Sequence, residues 1–140
     1  MTDNSKFYTL KGYALQENST LTSSMEDYLE MIYRIHLSVE IVRVGELAGM
    51  LNVKPSSASK MVDNLKKQGM VLSEKYGYIT LTEAGKNLGK YLVFRHDTIH
   101  RLLCYINGSQ NELEQVEKIE HFINEETVHN IRKMLDANGL

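Results

Sequence analysis

A single proline in 140 residues leaves this chain few places where a helix is forced to stop. Glycine is scattered, so the composition favours a mainly α fold. The position of the proline is more informative still. Val44-Gly45-Glu46-Leu47-Ala48-Gly49-Met50-Leu51 reads as a short helix and Asn52-Val53-Lys54 as a tight turn. Pro55 then fits the first turn of a second helix, where its missing N–H is not needed. That helix is predicted from about Ser56 to Gln68, with Ala58, Met61, Val62 and Leu65 inward and Gly69 just past its end. Val71-Leu72-Ser73-Glu74 and Tyr78-Ile79-Thr80-Leu81 are rich in β-formers and flank Lys75-Tyr76-Gly77 as a hairpin tip. Two short helices about a tight turn, followed by a two-stranded wing, make a winged helix-turn-helix.

The flanks also read as helices. Ser23-x-x-Glu26 and Ser24-x-x-Asp27 both match a capping box, so a helix is predicted to begin at Ser23 or Ser24. Met25, Tyr28, Leu29, Ile32 and Tyr33 recur at helical spacing, and Asp27, Glu30 and Arg34 fall opposite that stripe. Thr82-Glu83 opens a long helix whose apolar face is Leu88, Tyr91, Leu92, Ile99, Leu102, Leu103 and Ile106, with Asn107-Gly108 as its end. Two shorter helices are predicted near residues 111–123 and 125–137. Residues 1–20 show no clean period and read as a loosely ordered arm, with Phe7-Tyr8-Thr9-Leu10 as a candidate short strand.

The net charge of -2 conceals an asymmetry. Residues 41–101 hold ten Lys/Arg against five Asp/Glu, a balance of +5. Residues 1–40 hold three against six, and residues 102–140 three against seven. A basic middle suits a polyanion, and acidic ends suit a cation. One cysteine, Cys104, excludes an internal disulfide and fits a reducing, cytoplasmic setting; it reads as a small buried apolar residue. No apolar run approaches the roughly 20 residues of a membrane span, and the polar start does not resemble a secretory signal.

In a winged helix-turn-helix the second helix enters the major groove with its first residues at base edges. Here those residues are Ser56, Ser57, Ser59 and Lys60. Lys54, Lys66, Lys67 and Lys75 would ring the site and neutralise phosphates, and Tyr76 at the wing tip would lie along the backbone. Double-stranded DNA is the expected partner.

Six side chains suited to a hard divalent metal lie in three stretches around this unit. They are Asp27 and Glu30, then His96, then Glu117, Glu120 and His121. The last three, at i, i+3 and i+4, would be presented by one helical turn. Alone, the triad is more often a solvated polar face, the Asp27 and Glu30 pair an ordinary helix-start acid pair, and His96 a structural histidine; together they suggest one centre if a helical core brings them to one place. Four carboxylates and two imidazoles without thiolate suit Mn²⁺ or Fe²⁺ better than a sulfur-ligated zinc site. Six ligands with several carboxylates able to bridge suggest two ions per chain, roughly 3.5–4 Å or a little more apart.

Ser24-Met25-Glu26-Asp27-Tyr28-Leu29-Glu30, Lys54-Pro55-Ser56-Ser57-Ala58-Ser59-Lys60-Met61-Val62, Glu74-Lys75-Tyr76-Gly77, Arg95-His96 and Glu117-x-x-Glu120-His121 resemble the diphtheria-toxin-repressor family of metal-dependent regulators. The match is closest to its manganese-responsive branch, the manganese transport regulators, and covers about residues 22–137. The resemblance implies an N-terminal winged helix, a C-terminal helical dimerisation domain and a homodimer. It also implies metal-activated repression of manganese-uptake genes and a ligand set of Asp27, Glu30, His96, Glu117, Glu120 and His121. The iron-responsive branch has a methionine where Asp27 stands and a cysteine where Glu117 stands, and the lack of both here argues for Mn²⁺. The chain ends near residue 140, so the third, SH3-like domain of the iron branch is expected to be absent. The expected organisation is an arm over 1–21, a winged helix-turn-helix over 22–83, and a helical metal-binding and dimerisation domain over 84–140.

Three rival readings exist. An Fe²⁺-responsive repressor of the same design is the nearest alternative. A di-metal carboxylate enzyme would have no use for a helix-turn-helix and wing, so no enzyme activity is expected. A winged-helix sensor of an organic ligand would leave the six metal-type residues without a role.

Overall fold

The computed structural model describes residues 9, 21–38, 41–74 and 77–140. The arm expected over 1–21, with its candidate strand, lies almost wholly outside the described residues, as do Lys75 and Tyr76 at the wing tip.

The described residues fold into six α-helices and one small sheet. Helix α1 spans Ser23–His36, starting at the first of the two expected residues, with its cap one residue before the Ser23 box and two before the Ser24 box. Thr22, in extended conformation, is the cap; its hydroxyl accepts a hydrogen bond from the Met25 N–H at 3.2 Å. Glu26 therefore closes no capping box. Its side chain reaches away from the helix start, which matters below.

Strand β1, Val42–Arg43, leads directly into α2, Val44–Leu51, and Asn52 closes α2 in the left-handed conformation with φ of 54°. Helix α3, Pro55–Lys67, has Pro55 in its first turn, as its missing donor permits. Ala58, Val62 and Leu65 of α3 are buried and Met61 is half-buried. The wing is β2, Val71–Ser73, and β3, Tyr78–Leu81, paired with Val71 opposite Leu81. The sheet has three strands in the order β1-β3-β2, with Val42 opposite Ile79. A two-residue strand is too short to show a period, so β1 was not legible in the sequence.

Helix α4 spans Glu83–Asn107 and links the two halves. Thr82 fixes its start in two ways. Its hydroxyl accepts from Gly85 N–H at 3.0 Å and donates to the Gly69 carbonyl at 2.6 Å, tying the wing to the helix. Two glycines let α4 dock closely. A Cβ at Gly85 would overlap the Met70 carbonyl oxygen, and one at Gly89 would stand 2.7 Å from the Tyr33 Cβ of α1. After α4 come α5, Leu113–Ile119, a 3-10 turn at Glu120–Phe122, and α6, Glu125–Ala137, capped by Asn124.

One core joins Leu29 and Ile32 of α1 to Leu47, Val62, Leu65, Ile79 and Leu92. Each side chain of that size contributes about 1.5–3 kcal/mol on full burial. A second, smaller core packs Ile99 of α4 against Val116 and Val128. The apolar stripe expected along α4 does not stay inside. Leu102 and Leu103 are half-buried, and Ile106 is exposed with Tyr105, because among the described residues no element covers them. Cys104 is likewise half-buried, 3.5 Å from His100 Nε2, and not the core residue expected. Among the described residues, no helix is long and apolar enough to cross a membrane.

Candidate metal centre

The side of α1 opposite its apolar stripe packs against α4 and the turn after α5, so Glu30 is buried while Asp27 and Arg34 stay partly exposed. Two groups of ligand-type side chains come together there. Asp27, Glu120 and His121 form one, and Glu30, His96 and Glu120 the other, with the ligand atoms of each group within 4.8 Å of one another. Glu120 belongs to both and is fully buried, at 0 % exposure.

The geometry around Glu120 is asymmetric. Its Oε2 lies 3.1 Å from His96 Nδ1. Its Oε1 is buried with no hydrogen-bond partner among the described residues, 3.9 Å from His121 Nε2. His121 Nε2 lies 2.9 Å from Asp27 Oδ1, close enough to form an ion pair but without hydrogen-bond alignment. Glu30 Oε2 takes the Arg34 guanidinium at 2.9 Å.

Glu117, Glu120 and His121 are not displayed by one α-helical turn, as their spacing suggested. The α-helix stops at Ile119 and tightens into the 3-10 turn, which turns Glu120 and His121 inward. Glu117 is left at the mouth with its side chain 52 % exposed, 3.5 Å from His96 Nδ1 and outside both groups. It lines an open cleft of about 610 Å³ with Asp27, Glu30, His96 and Asp97.

The titration behaviour reports crowding of like charge. Burial, then the charge of Glu120, pushes the Glu30 carboxyl up, while Arg34 opposes the shift. Burial also raises Glu117, with Glu120 and Asp27 adding to it. The hydrogen bond to Glu120 holds His96 above its ordinary value. The carboxylates of Asp27 and then Glu26 push His121 up to about 10. Carboxyls forced towards protonation and imidazoles forced to hold a proton both mark a pocket that favours added positive charge. A hard oxygen and nitrogen donor set, with a buried carboxylate oxygen unpaired, fits a divalent cation of the Mn²⁺ or Fe²⁺ type.

The helix-turn-helix presents the other expected residues outward. Ser56, Ser57, Ser59 and Lys60 are exposed on the first turns of α3, and Lys54, Lys66 and Lys67 are exposed around it. The sequence reading missed Arg43, whose guanidinium lies 4.7 Å above the Tyr78 ring and adds a cation beside the wing. It also missed Glu26 and Arg95 as neighbours of the centre. In the sequence Glu26 reads as part of a helix cap, and Arg95 stands out only beside His96.

Comparison with known proteins gives a consistent picture. The model of the iron dependent repressor N-terminal DNA binding domain matches residues 20–79. The model of the iron dependent repressor metal binding and dimerisation domain matches residues 82–138. The HTH-type transcriptional regulator MntR of Lysinibacillus sphaericus (strain C3-41) is 38 % identical over 117 residues, which is 83 % of this chain and 84 % of that protein. The MntR of Bacillus subtilis (strain 168) is 39 % identical over 111 residues, 79 % of this chain and 78 % of that protein. Among solved structures, that of the manganese regulator SloR superposes with a TM-score of 0.71 at 27 % identity, covering 83 % of this chain and 55 % of that one. A manganese-dependent transcriptional repressor in complex with manganese gives a TM-score of 0.71 at 27 % identity, covering 80 % of this chain and 52 % of that one. The chain thus spans about half the length of these two structures and most of the length of both MntR proteins.

Proposed function

The chain belongs to the iron dependent repressor family, and from that premise we propose that it is a manganese-dependent transcriptional repressor. It binds operator DNA as a metal-loaded homodimer and controls manganese-uptake genes. The observation that carries the metal reading is the pair of three-residue groups sharing the buried Glu120. It supports two ions per chain, held by Asp27, Glu30, His96, Glu117, Glu120 and His121. The absence of a sulfur donor from both groups favours Mn²⁺ over Fe²⁺.

When bound, a divalent cation supplies the positive charge that lets these carboxylates approach one another. The residues do the rest. Asp27 and Glu30 belong to α1 of the DNA-binding half, and His96, Glu117, Glu120 and His121 belong to the linking helix and the segment after it. Drawing the two sets together fixes α1 against α4 and so limits the spacing of the two recognition helices of a dimer. Operator half-sites require those helices about one DNA turn apart. Lys60 and the serines of α3 then meet base edges and phosphates, with Lys54, Lys66, Lys67 and, on the wing, Lys75 and Tyr76 as further DNA contacts. The exposed Tyr105, Ile106 and Met134 lie near where Arg101 meets Asp136, and this apolar end suits the dimer contact. The domain division follows as 22–83 for DNA and 84–140 for metal and dimerisation.

The test is a DNA-binding titration of purified metal-free protein against its own upstream region with Mn²⁺, Fe²⁺ and Zn²⁺. Mn²⁺ should raise operator affinity most. Operator affinity unchanged by any of the three would overturn the proposal, and a stronger response to Fe²⁺ would favour the iron-sensing alternative.

A further inference from the structure

We propose that Glu26 and Arg95 form a positioning pair that sets the tautomer of His121 and so presents its Nε2 lone pair to the metal centre. The inference rests on the metal reading above and adds two residues outside the ligand set.

The two ring nitrogens of His121 face different surroundings. Nε2 points at the centre, 2.9 Å from Asp27 Oδ1 and 3.9 Å from Glu120 Oε1. Nδ1 points the other way, 2.8 Å from Glu26 Oε1 and 3.2 Å from Arg95 Nη2. A histidine that ligates metal through one nitrogen must carry its proton on the other, and a hydrogen-bond partner on that side decides which.

The two neighbours of Nδ1 pull in opposite directions. A carboxylate only accepts, so Glu26 calls for Nδ1–H and leaves the lone pair on Nε2. A guanidinium only donates, so Arg95 on its own calls for the lone pair on Nδ1 and an N–H on Nε2, aimed at the centre. Glu26 is the closer neighbour, and its bond to the ring is charge-assisted, so it prevails. Arg95 also donates to the same Glu26 oxygen at 3.3 Å. Arg95 is 4 % exposed and His121 is 7 % exposed, so water cannot easily replace either contact. Arg95 thus holds Glu26 in place, and Glu26 holds both Arg95 and the ring. The three residues come from α1, α4 and the 3-10 turn, so the pair also fixes these segments beside the centre.

This arrangement makes a prediction that simple structural support does not. Without Glu26, the remaining Arg95 should impose the wrong tautomer, so removing Arg95 as well should restore part of the lost affinity. Nitrogen-15 spectra of His121 in the parent protein loaded with Cd²⁺, which is diamagnetic, should show a proton on Nδ1 and none on Nε2. Calorimetric titration with Mn²⁺ should show Glu26→Ala weakening binding by about 10–100-fold, the usual effect of removing such an outer partner. Glu26→Gln, whose amide oxygen still accepts, should lose less, and Glu26→Ala combined with Arg95→Met should bind more tightly than Glu26→Ala alone. If Glu26→Ala does not fold, the parent spectra and Glu26→Gln still decide.

Coordination through Nδ1, or Mn²⁺ affinity in Glu26→Ala equal to the parent's while His121→Ala loses binding, would overturn this inference and leave the metal reading intact. A parent protein that binds no Mn²⁺ would overturn both.

Discussion

Glu120 is the residue whose loss should tell most. Glu120→Gln preserves size and shape at a position with 0 % exposure, so it opens no cavity. In the metal-free protein two effects oppose each other. The substitution weakens the bond from His96 at 3.1 Å, and a hydrogen bond to a charged group is worth about 1.5–3 kcal/mol. It also removes the charge that helps to push up Glu30 and Glu117, which relieves repulsion. The metal-free fold should therefore change in stability by no more than about 2 kcal/mol in either direction. The loaded protein has no such compensation, because both groups of ligands lose the same carboxylate. Suppose that Mn²⁺ affinity falls by about 100-fold, and that Mn²⁺ is supplied at about 1,000 times the parent's Kd. For each ion bound, the parent then gains about 4.1 kcal/mol and the variant about 1.4 kcal/mol. At about 3–5 °C per kcal/mol for a chain of this size, the Mn²⁺-induced rise in Tm should shrink by roughly 10 °C for each ion affected. Thermal denaturation with and without Mn²⁺ checks the energy, and calorimetry checks how many ions bind. A variant within about threefold of parent affinity, or one that loses a single ion and keeps the other unchanged, would show that Glu120 is not the shared ligand.

Four further outcomes are expected. Asp27→Met replaces a hard donor with a soft one, so operator binding should lose its Mn²⁺ response more than its Fe²⁺ response; equal retention of both would exclude Asp27 as a ligand. Lys60→Ala should weaken operator binding and, where it meets a phosphate, lower the salt slope by about one, while Mn²⁺ binding without DNA stays at the parent value. Gly85→Ala must displace the Met70 carbonyl and should cost about 3 kcal/mol in urea denaturation, and a change below about 1 kcal/mol would refute the close approach of α4 to the wing. His121 holds its proton up to about 10 in the metal-free site, above the usual 6.5, so its contribution to metal-free stability is complete below about pH 6.5 and lost as pH rises through about 10. Because Mn²⁺ must displace that proton, its apparent affinity should rise between pH 6 and 8 by up to about tenfold per unit, with proton release in buffers of differing ionisation heat; a flat profile would remove His121 from the ligand set.

Much of this architecture was legible because it depends on local chemistry. Pro55 marks a helix start by itself, Asn52 tolerates the left-handed turn that ends α2, and the β-formers around the wing tip pair as their sequence suggests. The candidate ligands stood out for a related reason: hard donors recur in three stretches, and the structure gathers five of the six, Glu117 excepted, into two groups. Illegible were the features fixed by distant packing. Whether Thr22, Ser23 or Ser24 caps α1 depends on how the chain enters the helix, and three adjacent hydroxyl residues make the choice invisible locally. The break at Ile119 that buries Glu120 and leaves Glu117 outside is imposed by docking against α1 and α4, since nothing in Val116-Glu117-Lys118-Ile119-Glu120-His121 forbids a continuous helix. Ile106 follows the period of α4 but leaves the core because none of the described residues covers it.

Glu26 shows why the site and the fold cannot be read separately. A carboxylate in the first turn of a helix is already favoured by the helix dipole, so its presence there carries little information. Its partner Arg95 is 69 positions away, and its partner His121 is 95 away. Only the packing of α1 on α4 turns an ordinary helix-start acid into a neighbour of the centre. That same packing, made close by Gly89 against Tyr33, sets the distance between Asp27 and Glu30 on one side and His96, Glu120 and His121 on the other. On the proposed reading, metal affinity depends on the seating of α1, and the seating of α1 places α3. A cation that favours one seating would then raise operator affinity by some factor, and operator DNA would raise cation affinity by the same factor. If the coupling runs through the α1–α4 contact, substitutions there should change the DNA response to metal even when all six proposed ligands are intact.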